Sequence, residues 1–253
     1  MEIHRLDDYQ SWAIRTAETT VVIDPWLIGE CVLPGGGKVF RRTHKTPPVS
    51  VHSLLGSPVT ALMLTAHFGD HFHEETLRMF PRETPVYTTK WGAKQADKLG
   101  FKVIKTLVAE EVWGVAPDLR VTTVAPAFPY AHNSLGFFFE DQSGKRVLLE
   151  THGAHPGKIP ARAQGADVLI TAVEAVRFLG VPLTLGESRL VDLILEMKPG
   201  ILIPTGTDPD QSEGVIPRLL SITGSVKELA NTLNGLGAPT LLRELAVDER
   251  MFV

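Results

Sequence analysis

The sequence predicts a mixed α/β (α+β) fold in which two sheets pack face to face and helices cover the outer faces. Three observations carry this. The first half of the chain reads as many short strands, and the second half alternates strands with helices. Glycine (22) and proline (18) are spread along all 253 residues, so the elements are short and joined by tight turns. Apolar residues make up 43% and charged residues 21%, enough to bury a large core without staples. No repeat or linker divides the chain, so residues 1–253 are expected to form one domain.

Element by element, Met1–Leu6 and Ser11–Thr16 read as a hairpin around Asp7-Asp8-Tyr9-Gln10. Thr20–Asp24 is a β-branched run closed by Asp24-Pro25. Residues 29–58 hold Gly35-Gly36-Gly37, Arg41-Arg42 and Pro47-Pro48 without period, and are expected to be a long loop, of the kind that covers binding sites. Ala61–Thr65 is a buried strand, followed by a helical pattern through Glu74, Leu77 and Phe80. Pro85–Thr89 is a strand and Trp91–Leu99 a helix ended by Gly100. Phe101–Leu107, Val121–Ala125, Gly136–Glu140 and Val147–Glu150 read as strands, the last two joined by the turn Asp141–Gly144. Asp167–Ala172 and Ile201–Pro204 are further strands around a helix at Ser188–Met197. Ser225 and Glu228 form a capping box for a helix at Ser225–Leu233. Thr240–Val247 is expected to be the last strand.

Charge and composition exclude several function classes. A net charge of −4 and a pI near 6.1 disfavour nucleic acid and anionic membranes as partners. No apolar run reaches the 18 or so residues of a membrane span, and no signal peptide is visible. The single cysteine, Cys31, forms neither an intrachain disulfide nor a cysteine-rich metal site. A cytoplasmic protein acting on a small-molecule substrate or ligand is the expectation, with homo-oligomerisation left open.

The chemistry concentrates in Thr65-Ala66-His67-Phe68-Gly69-Asp70-His71-Phe72-His73, between a buried strand and a helix. A strand-to-helix loop holding histidines and a carboxylate suits a metal ion, because its ends are rigid and the carboxylate offsets the ion's charge. The plain structural reading is that Asp70 caps the helix and the histidines are polar loop residues. His132, His152 and His155 are the other histidines near expected cleft loops.

These residues support a resemblance. Val21-Val-Ile-Asp24-Pro25-Trp26-Leu27 with Leu62-Met-Leu-Thr-Ala-His-Phe-Gly-Asp70-His71 resembles the metallo-β-lactamase-fold superfamily, in its lactonase-like, metal-dependent hydrolase branch. Thr122–Ala127, Leu135–Glu140, Val147–Gly153 and Pro199–Thr205 extend it in order. The resemblance implies a four-layer αββα sandwich, a divalent transition metal (Zn, Mn or Fe) and hydrolysis of a lactone, ester or phosphodiester. It also implies that Asp24 supports the metal loop from below.

The signature of that superfamily, His-x-His-x-Asp-His, is degenerate here. Aligned on Asp70 and His71, its first two histidines become Ala66 and Phe68. The next ligand position is Phe128, the bridging carboxylate falls near Thr151, and the last histidine becomes Gly206. Two readings follow. In the first, a mononuclear site is rebuilt from His67, Asp70, His71 and His152, with Asp70 orienting or deprotonating water; Glu150, His73, Thr207 and Asp208 are further cleft candidates. In the second, no metal binds and the chain is a pseudoenzyme or small-ligand-binding module. The pairing of Asp70-His71-Phe72-His73 with Glu150-Thr151-His152-Gly153 is similar to a subgroup of the superfamily with a comparably altered site.

Other signals carry less. Gly35-Gly-Gly-Lys38 lacks phosphate-loop spacing. Arg41, Arg42, His44 and Lys45 form a basic patch that either steers an anionic substrate or is a solvated loop. Cys31 has no base beside it in sequence, and no Gly-x-Ser-x-Gly elbow is present.

Overall fold

The computed structural model describes residues 1–127, 129–130, 133–154, 157, 159–207 and 212–253. Two seven-stranded sheets face each other. The first contains β1 (Glu2–Arg5), β2 (Trp12–Arg15), β3 (Thr20–Ile23), β6 (Ala61–Leu64), β7 (Val86–Thr88), β8 (Ile104–Thr106) and β20 (Arg250–Phe252). Its order is β20-β1-β2-β3-β6-β7-β8. The second contains β9 (Val112–Ala116), β10 (Leu119–Val124), β11 (Gly136–Asp141), β12 (Arg146–Glu150), β13 (Val168–Thr171), β16 (Ile201–Pro204) and β19 (Leu241–Leu242). Its order is β19-β16-β13-β12-β11-β10-β9. The helices are α1 (Val51–Leu54), α2 (Glu74–Arg78), α3 (Lys90–Lys98), α4 (Glu187–Met197) and α5 (Val226–Gly235).

The period-2 alternation of strand side chains sorts the core into three layers. Ile14, Val21, Ile23 and Met63 of the first sheet meet Val121, Phe137, Phe139 and Ile170 of the second in the middle. On the outer face of the first sheet, Ala13, Val22 and Leu62 pack against Leu54, Leu77 and Ala96 of α1, α2 and α3. On the outer face of the second, Phe138, Leu148 and Leu202 pack against Leu193, Ile194 and Leu229 of α4 and α5. This is the αββα arrangement expected from sequence. Among the described residues, no helix is long and apolar enough to cross a membrane.

Two small sheets depart from expectation. Within 29–58, β4 (Cys31–Val32) and β5 (Arg41–Arg42) pair with β17 (Ser212–Glu213), in the order β17-β5-β4. β14 (Ala175–Phe178), β15 (Val181–Pro182) and β18 (Leu220–Thr223) form the other, in the order β15-β14-β18. The predicted strand at 240–247 is also corrected: only Leu241–Leu242 pairs, with β16. The polar pair Arg243-Glu244 interrupts the run there. The final strand is instead β20, set antiparallel to β1 in the other sheet.

Candidate active site

The site lies where β3, β6, β12 and β16 end on the same rim of the sandwich. Asp24 follows β3 with φ +44, a left-handed conformation that aspartate tolerates better than most residues. It is fully buried and engaged by three donor groups. Thr65 N–H donates to Asp24 Oδ1 at 2.7 Å. The Thr65 hydroxyl donates to Oδ2. His71 Nδ1–H donates to the same Oδ2 at 2.7 Å. The Thr65–His71 loop therefore rests on Asp24, which holds His71 Nδ1 and leaves Nε2 as its outward nitrogen.

Burial alone would lower the His71 pKa, but Asp70, Asp24 and Glu150 outweigh it and hold the ring above its ordinary value. His71 Nε2 lies 4.0 Å from Asp70 Oδ1. Asp70 is steadied through its backbone, whose carbonyl accepts from Gln10 Nε2 at 2.8 Å, and the Tyr9 hydroxyl approaches Oδ2 at 3.5 Å.

His152 stacks on His71, with ring centroids 4.8 Å apart and planes at 24°. Its Nδ1 faces Ser134 Oγ at 3.1 Å and Thr151 Oγ1 at 3.2 Å. Burial, then the charge on His71, lowers its pKa far below the ordinary value, so the ring stays neutral. Glu150 is fully buried beneath it, and burial pushes its pKa up to about 7. Its Oε1 accepts from His152 N–H at 3.0 Å, while Oε2 has no partner among the described residues.

Asp70, His71 and His152 line one cavity of about 290 Å3, together with Tyr9, Tyr130 and Arg42. Not every residue singled out by sequence arrives there. His67 lines a different hollow, against Phe68 and Trp91, with Nδ1 buried and unpartnered among the described residues. The one-residue slip of the loop that would aim it inward does not occur. His73 is the cap of α2, its Nδ1 accepting from Thr76 N–H at 3.3 Å, so the capping role expected of Asp70 belongs to His73. Thr207 is half-buried and absent from the cavity wall, whereas Gly206 is on it. Asp208, His132, His155 and Phe128 lie outside the described residues. Arg42, part of a basic patch whose sequence reading was either steering of an anionic substrate or a solvated loop, is only 8% exposed and sits on the cavity wall. Cys31 is buried nearby, and burial raises its thiol pKa.

Residues 6–206 match the family model for the beta-lactamase superfamily domain. The chain belongs to the beta-lactamase superfamily. Solved structures with this fold include a "possible metal-dependent hydrolase" from Veillonella parvula DSM 2008, at TM-score 0.74 and 15% identity, covering 100% of this chain and 99% of that one. An isothiocyanate hydrolase from Delia radicum gut bacteria gives 0.72 and 17%, with 100% and 99% covered. The metallo hydrolase Igni18 from Ignicoccus hospitalis gives 0.67 and 14%, with 99% and 98% covered. No curated protein matches the chain.

The superfamily's metal chemistry can be tested against this donor set. Two signature positions carry carbon: Ala66 is wholly buried and Phe68 lies on the cavity wall. A second ion has no nitrogen to meet there. Asp70 Oδ1 and His71 Nε2 lie 4.0 Å apart, both residues line the cavity, and a carboxylate holds the far nitrogen of the histidine, so these two are the donors that a single ion would meet. His152 does not aim at the same point. An imidazole binds in its own plane about 2 Å from nitrogen, and two near-parallel stacked rings share no such position. Among the described residues, no three histidine, cysteine or acidic side chains gather into a metal-binding group.

Proposed function

We propose that this chain is a metal-dependent hydrolase with a single-ion site, cleaving an ester, lactone or phosphodiester. The observation that carries it is the Asp24–His71–Asp70 arrangement on the cavity wall: a locked histidine and a carboxylate 4.0 Å apart. These two residues would hold a Zn2+, Mn2+ or Fe2+ ion. Bound there, such an ion supplies Lewis-acid polarisation and brings the pKa of water towards neutrality.

The protein's own groups do the rest. Asp24 keeps His71 Nε2 pointed at the reacting position. Asp70 accepts or orients a proton of the attacking water. Neutral His152 offers Nε2 to the substrate, because Nδ1 is occupied by hydroxyl groups. Phe68 and Tyr130, in edge contact at 5.9 Å, wall this end from solvent.

A metal-free binding module is favoured by a different observation, the absence of a third converging donor among the described residues. Metal content of the untagged, dialysed protein separates the two readings. The first expects about one equivalent of transition metal per chain, lost in Asp70→Ala and in His71→Ala. It also expects hydrolysis of at least one ester, lactone or phosphodiester that the same variants abolish. Metal far below one equivalent, unchanged after adding Zn2+, Mn2+ or Fe2+, overturns it.

A further inference from the structure

The cavity has a second chemical feature that hydrolysis as such does not require. Arg42 stands on β5, which is paired on both sides within the small sheet β17-β5-β4. Its guanidinium lies over the Tyr9 ring at 3.9 Å and its Nε donates to Ser212 Oγ at 2.8 Å. A side-chain hydrogen bond to Tyr9 accompanies them, so its partners among the described residues are neutral groups rather than an anion. Among the described residues no carboxylate forms an ion pair with it, although its neighbour Arg41 pairs with Glu213. A guanidinium this buried is costly unless an anion meets it. Asp70 shares the cavity and attracts it electrostatically without reaching ion-pair distance.

Much of the remaining wall is carbon. Leu33 and Phe40 come from the loop between β4 and β5, while Val176, Leu183, Leu220 and Ile222 come from the other small sheet and its flanks. The two small sheets thus cap the rim, one contributing the cation and both contributing apolar surface. The volume of about 290 Å3 is at the small end for ligand pockets.

We propose that this cavity selects a short apolar carboxylate, with Arg42 pairing the carboxylate and the two capping sheets holding the hydrocarbon. For the proposed hydrolase, this names the substrate class: an ester, lactone or phosphodiester that carries, or releases on cleavage, a carboxylate on a short apolar chain. The planar guanidinium fork matches a carboxylate with two parallel hydrogen bonds. Arg42 is a specificity residue here, distinct from the groups that act on the scissile bond. Asp70 and Glu174 also line the cavity and repel an anion, so Arg42 is the group that receives the carboxylate.

The test is calorimetric titration of the full chain, as purified and after chelation, with hexanoate, hexanamide and acetate. Hexanoate is expected to bind, with hexanamide and acetate each weaker by about tenfold or more. Arg42→Gln should bring hexanoate down to the level of hexanamide and leave hexanamide unchanged. Arg42→Lys, which keeps the charge and loses the fork, should fall between and remains informative if Arg42→Gln does not fold. Asp70→Asn, which removes a like charge and disables the proposed hydrolysis, should bind hexanoate at least as well as the parent. A failed metal assay with an intact Arg42 effect therefore sinks the hydrolase reading alone. Equal binding of hexanoate and hexanamide, no binding of hexanoate, or unchanged hexanoate affinity in both Arg42 variants overturns the carboxylate pocket.

Discussion

Asp24 and Glu150 are both fully buried acids beneath the same pair of stacked histidines, yet their surroundings differ. Asp24 is surrounded by donors, whereas Glu150 receives backbone N–H groups and leaves Oε2 unpartnered among the described residues. The supporting role of Asp24 was legible only through the family resemblance, since Asp24-Pro25 by itself reads equally as a turn that ends the strand. The raised pKa of Glu150 was not legible, because it depends on burial by residues distant in sequence, such as Gly136, where an added Cβ would come within 2.7 Å of the Glu150 side chain. That burial predicts a pH dependence. The folded pKa of about 7 lies above the ordinary 4.5, so between these values the folded chain keeps a proton that the unfolded chain has lost. Stability contributed by Glu150 is complete below pH 4.5 and is lost as pH rises to about 7, by about 3 kcal/mol. His71, also raised, slopes the same way, and His152, lowered, slopes the other way. The difference between parent and Glu150→Gln isolates one group. Glutamine mimics the protonated acid, so the urea midpoints of the two proteins with chelator present should lie close together at pH 4.5 and diverge towards pH 7, the parent falling below Glu150→Gln; parallel curves across that range would refute the protonated Glu150.

At the scale of elements, the strands of the sandwich were legible because their apolar residues alternate or run continuously between turn signals. The two capping sheets were not. Each of their strands is two to four residues long, too short for any period to show. β5 finds β17 about 170 residues away, so Arg42 in isolation reads as a loop cation. The geometry of that sheet depends on Gly214, whose φ of +115 is strained for any other residue. A Cβ there would stand 2.5 Å from the Val39 carbonyl oxygen, a backbone atom that has no rotamer to escape into. Gly214→Ala should therefore displace β17, loosen the Ser212–Arg42 hydrogen bond and weaken hexanoate binding several-fold, at a stability cost of about 1–3 kcal/mol. Gly144→Ala is the control, since its φ is also positive but an added Cβ meets nothing within 4 Å. It should cost about 1 kcal/mol through backbone strain alone and leave affinity unchanged. Equal affinity losses in both variants would disconnect the small sheet from the cavity.

For the whole molecule, the layered plan follows from faces rather than from order along the chain. Phe137, Phe138 and Phe139 are one apolar run in sequence, and the pleat sends the outer two to the inter-sheet core and the middle one to the helices. The same rule places β20, which sequence reading passed over because three residues with Arg250 at the start carry almost no signal. Met251 sits opposite Ile3, 3% exposed, in the core between the sheets, and Phe252 beside it is 77% exposed. The larger, more apolar-looking residue is thus the one that the fold does not use. Met251→Ala should cost about 2–5 kcal/mol by leaving a cavity between the sheets. Phe252→Ala should change stability by no more than about 0.5 kcal/mol. Urea unfolding of both variants decides it, because a one-residue slip of β20 against β1 exchanges their faces and would reverse the ranking. With the predicted ranking, β20 is fixed in register as the strand beside β1, which makes β1 an interior strand and keeps its Ile3 in the core.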